Sequence, residues 1–217
     1  MKDFLLKFSI IYRLYQKIVR GKHHEYDFFK YLFKNMNKKK IKVLDLCCGD
    51  SYILNYVGEY VDDYLGYDNN ILYLKKNKKK YKQHKKLKFI YGDLKNFKND
   101  RRILKFKPNV IFMNGAVHHL DGELMKIINQ VIKKKFYKAI FLSLDPIKDK
   151  NKMINELMVN FDRGKFIRTK KKYKKLMNNY NSFIIDDFFR MSFLSIFHYK
   201  NINLKHFYSK WKSTLTN

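Results

Sequence analysis

The sequence predicts an α/β protein: a three-layer sandwich with a mostly parallel seven-stranded sheet and an antiparallel edge strand. Three observations carry this expectation. Short, β-branched apolar runs alternate with stretches whose apolar residues recur at helical spacing. Alternation of that kind means a parallel sheet covered by helices on both faces. The last two apolar runs are joined too tightly for a helical crossover, so they must pair antiparallel.

Taken in order, residues from about 3 to 35 read as an amphipathic helical region, broken by the polar stretch Asn35 to Lys40. Ile41 to Leu46 reads as a buried strand, followed by a turn at Cys47–Ser51 and a helical stretch over Tyr52–Tyr60. Tyr64 to Tyr67 forms a second strand, ending at Asp68, and Asn70 to about Lys86 forms a helix with a lysine-rich outer face. Leu87–Tyr91, Val110–Met113 and Lys138–Leu144 are the next three strands, with a helix over Glu123–Lys134. Thr169–Asn178 is helical, and Ser182–Phe189 and Phe193–Tyr199 close the sheet. Among 217 residues there are only two prolines and eight glycines, which leaves little room for a linker and argues for one domain over 1–217.

The formal net charge is +29. A charge of that size points to nucleic acid or an anionic membrane surface. Yet 41 of the 48 basic residues are Lys and 7 are Arg, and alanine occurs only at 116 and 139. A GC-poor genome gives the same bias without any polyanion. Base reading favours the Arg fork, so the lysine excess is weak support for sequence recognition. The runs Lys75–Lys86 and Lys170–Lys175 read as solvated helix faces. No stretch of about 20 apolar residues is present, so no transmembrane span is expected. Without a recognisable secretory signal, and with two adjacent cysteines that suit neither a disulfide nor a zinc site, the expected setting is the cytoplasm.

In open α/β sheets, ligands bind at the carboxyl ends of the strands. Here those ends carry Asp45 and Asp50, Asp68, Asp93, Asn114 and Asp145. Any one of them serves equally as a helix cap or turn residue; the set is harder to dismiss. The first turn, Val43 to Ser51, places small residues at alternate positions after an acid: Asp45, then Cys47, Gly49 and Ser51. Small residues there permit close backbone approach by a ligand. A nicotinamide fingerprint would put Tyr52 where the third glycine belongs.

This turn resembles motif I of the class I S-adenosylmethionine-dependent methyltransferases, whose fold is Rossmann-like. Cys47 and Ser51 depart from the family's glycines. The resemblance continues through Tyr64 to Asp68, Phe89 to Leu94 and Val110 to Asp121. It reaches into a bacterial small-molecule-type subgroup through Tyr12 to Gln16, Asp145-Pro146 and Phe161 to Thr169. It implies S-adenosylmethionine as cofactor, with S-adenosylhomocysteine as product. Asp45, Leu46, Cys47, Gly49 and Ser51 would cradle it. Asp68 and Asn69 would take the ribose and flank the adenine; Asp93 and Leu94 would take the adenine; Asn114 would lie under the methionine end.

His118 and His119 follow the fourth strand and are the candidate general bases; either is equally a cap or a packed orienting residue. Asp145, Arg163 and Arg168 are candidate acceptor-binding residues, with pairing of the arginines to Asp162 as the alternative. Tyr12 and Tyr15, three apart on a helix, either close over the cofactor as part of a lid within 1–35 or are core aromatics, and 146–180 would form a substrate cap. No metal site is expected, because adjacent histidines on a helix point apart. The leading reading is methyl transfer to a small-molecule acceptor. An RNA methyltransferase using the lysine faces and a non-catalytic binding protein are the alternatives. The acceptor and the oligomeric state are not readable from the sequence.

Overall fold

A computed structural model describes residues 24–36, 40–177, 181–187, 190–197 and 204–214. Tyr12 and Tyr15, and most of the expected lid, lie outside them. Five parallel strands form the body of the sheet: β1 (Lys42–Leu46), β2 (Asp63–Asp68), β3 (Leu87–Tyr91), β4 (Val110–Asn114) and β5 (Ile140–Pro146). A hairpin of β6 (Asn181–Asp187) and β7 (Arg190–Phe197) pairs through β7, antiparallel, with β5. The order is β3-β2-β1-β4-β5-β7-β6, so the antiparallel strand lies one place in from the edge. Strand order reverses between β1 and β4, and the crevice at that point is where an α/β sheet takes a ligand.

The helices are α1 (His24–Lys34), α2 (Leu54–Val57), α3 (Ile71–Lys80), α4 (Arg101–Phe106), α5 (Gly122–Lys135), α6 (Met153–Phe161), α7 (Lys170–Leu176) and α8 (Leu204–Ser213). Side chains alternate across the strands, and β1, β2, β4 and β5 are buried on both faces. Val43, Tyr64, Phe89, Phe112 and Leu142 meet Phe28, Phe29 and Phe33 of α1, Leu74 of α3 and Trp211 of α8. Leu44, Leu65, Ile111 and Phe141 meet Ile103 of α4, Met125 and Ile128 of α5 and Tyr173 of α7. Thus the described part of the N-terminal region is core-forming rather than detached.

Helix starts follow the acids and amides. Asn70 accepts from Leu72 N, Asp100 from Arg102 N and Asp121 from Leu124 N. The helix expected to reach Lys86 stops at Lys80. Its last turn, Lys78 to Lys80, suits the negative end of the dipole, but four further lysines follow by 88 and like charges one turn apart repel. Helices α4, α6 and α8 have no counterpart among the sequence expectations.

Candidate functional site

The turn after β1 explains the alternate spacing of its small residues. Cys47, Gly49 and Ser51 have φ of 57°, 51° and 54°, all in the left-handed region. Every second residue must bear that conformation, which disfavours bulky or β-branched side chains. At Gly49 an added Cβ would meet nothing within 4 Å. Its α-carbon therefore faces open space over the strand ends. The Gly49 N–H donates to Asp68 Oδ2 at 2.8 Å, tying the turn to the end of β2.

Ser51 faces inward instead. It is fully buried. Asn77 Nδ2 donates to Ser51 Oγ at 3.0 Å and to the Gly49 carbonyl at 2.7 Å. Tyr64 Oη lies 2.5 Å from Asp45 Oδ2 and 3.1 Å from Ser51 Oγ. A phenol has one proton, and the shorter contact to the carboxylate takes it. The departure from glycine at Ser51 thus supplies a hydroxyl to a buried polar network. Asp45 sits in that network at 3% exposure, and burial pushes its carboxyl up to about 7 despite the bond from Tyr64, with Asp68 and Asp50 adding to the rise. Burial also raises both cysteine thiols, chiefly by desolvation, so neither is a thiolate near neutrality.

Two adjoining clefts open at the strand ends, and Cys47 and His119 line both. One is lined by Asp68, Asn69, Asp93 and Leu94. The other is lined by Asp45, Gly49, Asn114, Tyr26 and Arg163. Asp68 already accepts from Gly49 N and Asn70 N, and Asp93 from Lys95 N. Each carboxylate oxygen has a second lone pair for a further donor. Leu46 is wholly buried and lines neither cleft. Tyr26 of α1 reaches the second cleft, where Asn114 Nδ2 donates to its hydroxyl at 2.9 Å and its ring stacks on Tyr56 at 4.7 Å. The sequence reading missed Tyr26; nothing in the spacing of α1 distinguishes it from the core aromatics at 28, 29 and 33.

The two histidines separate in role. His118 is 4% exposed and held on both sides. Its Nδ1 lies 2.8 Å from Asp145 Oδ1 and its Nε2 lies 3.3 Å from Asp162 Oδ1. Burial alone would lower the ring's pKa, but the bonds to Asp145 and Asp162 outweigh it and leave the ring at about 9. His118 is therefore an imidazolium with both N–H groups committed, which does not suit a general base. His119 is exposed in the cleft; desolvation, the charge on His118 and Arg163 push it down to about 4, so it is neutral near pH 7. The two rings lie 4.1 Å apart, centroid to centroid. This corrects the expectation that adjacent histidines point apart: the pair sits in a 3-10 turn over Val117–His119, not in an α-helix. His118, His119 and Asp162 bring three possible metal-ligand atoms within 4.8 Å of one another.

Two other expected acceptor contacts take structural places. Asp145 is 2% exposed and accepts from both the backbone N–H and Nδ1 of His118. The Arg168 guanidinium donates to the carbonyls of Val117, Phe166 and Leu120 at 3.1, 2.9 and 2.7 Å. It clamps the histidine turn to the segment after α6 and does not reach toward a ligand. Phe166 N donates to the His118 carbonyl at 2.8 Å, and a Cβ at Gly164 would fall 2.0 Å from His118 Cδ2. The Asp162-to-Arg168 run is therefore a strap over the histidine turn. Arg163 alone of the expected trio lines a cleft.

No family model and no curated protein matches the sequence. Solved structures do match the fold. The methyltransferase domain of bacterial CtHen1 superposes with a TM-score of 0.63 at 19% identity, over 80% of this chain and 97% of that one. The CMeT domain of the citrinin polyketide synthase gives 0.59 at 11% identity, over 83% of this chain and 52% of that one. The plantazolicin methyltransferase BpumL, solved with a pentazolic desmethylPZN analog and SAH, gives 0.57 at 14% identity, over 81% and 84%. The chain thus has the Rossmann-like α/β fold of the class I S-adenosylmethionine-dependent methyltransferases. Among the described residues, no helix is long and apolar enough to cross a membrane.

Proposed function

We propose that the protein binds S-adenosylmethionine across the two clefts and transfers its methyl group to a small-molecule acceptor. The observation that carries this reading is the β1 turn: alternate left-handed residues, a Gly49 α-carbon open to the cleft, and an N–H from Gly49 fixing Asp68 beside it. The donor set fits the ligand. Asp68 offers acceptors for vicinal hydroxyls, Asp93 with the Leu94 backbone suits an adenine edge, and Asp45 lies where an ammonium would be stabilised.

The bound sulfonium supplies an activated methyl and a neutral leaving group. The protein's task is then to orient the acceptor and exclude water. Tyr26 and Asn114 wall the methionine-end cleft, and Arg163 on its rim suits an anionic acceptor. For a hydroxyl acceptor, His119 is the unprotonated imidazole at the cleft, a weak base at about 4 that can accept a hydrogen bond from the acceptor as the methyl is transferred. Asp145, His118, Asp162 and Arg168 act as positioning residues that hold the His119 turn.

The solved relatives carry names that span a polyketide synthase domain and a plantazolicin enzyme, so the acceptor must be read from this chain's own rim. The test is incubation with methyl-labelled S-adenosylmethionine and, separately, metabolite pools and total RNA. Label entering the metabolite fraction supports the reading. Label entering RNA, with transfer falling steeply as salt rises, would overturn it in favour of the lysine faces as an RNA surface.

A further inference from the structure

Helix α6 is amphipathic in the wrong sense for water. Met153, Ile154, Leu157 and Phe161 are 85%, 47%, 58% and 51% exposed. Their spacing places them within an arc of about 100° on one side of the helix. The fully buried residue of the helix is polar: Asn155, at 3% exposure. It accepts from Asp149 N at 2.8 Å and donates to the Ile147 carbonyl at 2.9 Å. An ordinary surface helix turns these two faces the other way. Both the oxygen and the nitrogen of the buried amide are hydrogen-bonded, so the orientation is fixed and the apolar ridge is held outward.

The surroundings of this ridge are basic. The chain leaves the sheet at Ile147, runs through α6 and returns at Arg168, where the two legs pair and Lys148 N donates to the Arg168 carbonyl at 3.0 Å. Lys148, Lys150 and Lys152 lie on the outgoing leg, Lys165 on the returning one, and α7 continues at once with exposed Lys170, Lys171 and Lys172. The acids of the excursion are occupied or few. Asp162 is bound to His118, Asp149 caps Asn151, and Glu156 is the remaining one. An apolar ridge on a lysine-fringed base is the composition of an interfacial helix that inserts among anionic headgroups. A nucleic acid would use the lysines but leave the ridge in water.

We propose that α6 docks the protein on an anionic lipid surface, with Met153, Ile154, Leu157 and Phe161 buried at the headgroup–acyl boundary. The returning leg runs directly into the rim of the cleft through Arg163, so a docked protein presents its cleft to the membrane. Docking does not depend on the methyl-transfer reading. Joined to that reading, it names the acceptor class: an amphiphile with an anionic head, held in the bilayer.

The test uses the full chain with vesicles of phosphatidylcholine containing about 30% phosphatidylglycerol, beside pure phosphatidylcholine. The protein should co-sediment with the anionic vesicles only, and less so as salt rises. Leu157→Asp with Phe161→Asp should lower partitioning at least about tenfold, with an unchanged melting temperature. Phe161→Trp should show a blue-shifted emission on adding anionic vesicles, against the constant background of buried Trp211. No binding to anionic vesicles, or binding indifferent to the ridge substitutions, would overturn the proposal. So would a concentration-dependent dimer abolished by the same substitutions, which would make the ridge a contact between copies. Because S-adenosylhomocysteine binding is measured without vesicles, failure here leaves the cofactor reading standing, and the reverse also holds.

Discussion

Replacing His118 with alanine isolates the strongest electrostatic feature of the site. The ring is the cation between Asp145 and Asp162, one of them almost wholly buried. Moving its pKa from an ordinary 6.5 to about 9 corresponds to about 3 kcal/mol of stabilisation at neutral pH. Removal also strands two carboxylates, and breaking a buried pair from one side costs about 3–5 kcal/mol. Urea denaturation at pH 7 should therefore show His118→Ala about 3 kcal/mol less stable than the parent. The folded-state pKa lies above the unfolded one, so the stabilisation is complete below about pH 6.5 and is lost as pH rises through about 9. The gap between parent and variant should accordingly narrow by pH 10. A loss under about 1 kcal/mol, or a gap that does not change between pH 7 and 10, would refute a charged His118 holding the strap.

Further predictions follow the same geometry. Gly164→Ala puts a methyl 2.0 Å from the His118 ring, so it should cost about 1–3 kcal/mol in the same denaturation assay. Arg168→Lys keeps the charge but loses the fork that reaches three carbonyls, and should lower the melting temperature while raising amide exchange at Val117–Leu120. Asp45, at about 7, must ionise to hold an ammonium, so the Kd for S-adenosylhomocysteine should tighten about tenfold from pH 6 to pH 8; a flat profile would separate Asp45 from the ligand.

Much of the sheet was readable because β1, β2, β4 and β5 are buried on both faces and end in polar turns. β3 spans the residues expected from the sequence, Leu87–Tyr91; the other strands differ by one or two residues at an end, except that β7 begins three residues before the expected Phe193. The left-handed turn was readable through its residue sizes, since only small side chains suit Cys47, Gly49 and Ser51. Helix α6 was not, because its apolar residues face outward and its polar Asn155 faces inward, which inverts the pattern that marks a surface helix. Asp145 and Arg168 were read as candidate ligand contacts from charge and position; the partners the structure gives them, His118 and the carbonyls of Val117 and Leu120, lie far away in sequence. Asp162 was noted only as a partner for arginine. Its bond to His118 depends on the strap folding back, which no local spacing reveals.

The most direct measurement is a calorimetric titration of the purified protein with S-adenosylhomocysteine, run beside Asp68→Ala with its melting curve recorded. The cleft predicts micromolar binding by the parent and a loss of at least about tenfold in the variant, the scale of a hydrogen bond to a charged group. Absence of binding by the parent at high ligand concentration, or equal binding by a folded Asp68→Ala, would contradict the assignment of these strand ends to S-adenosylmethionine.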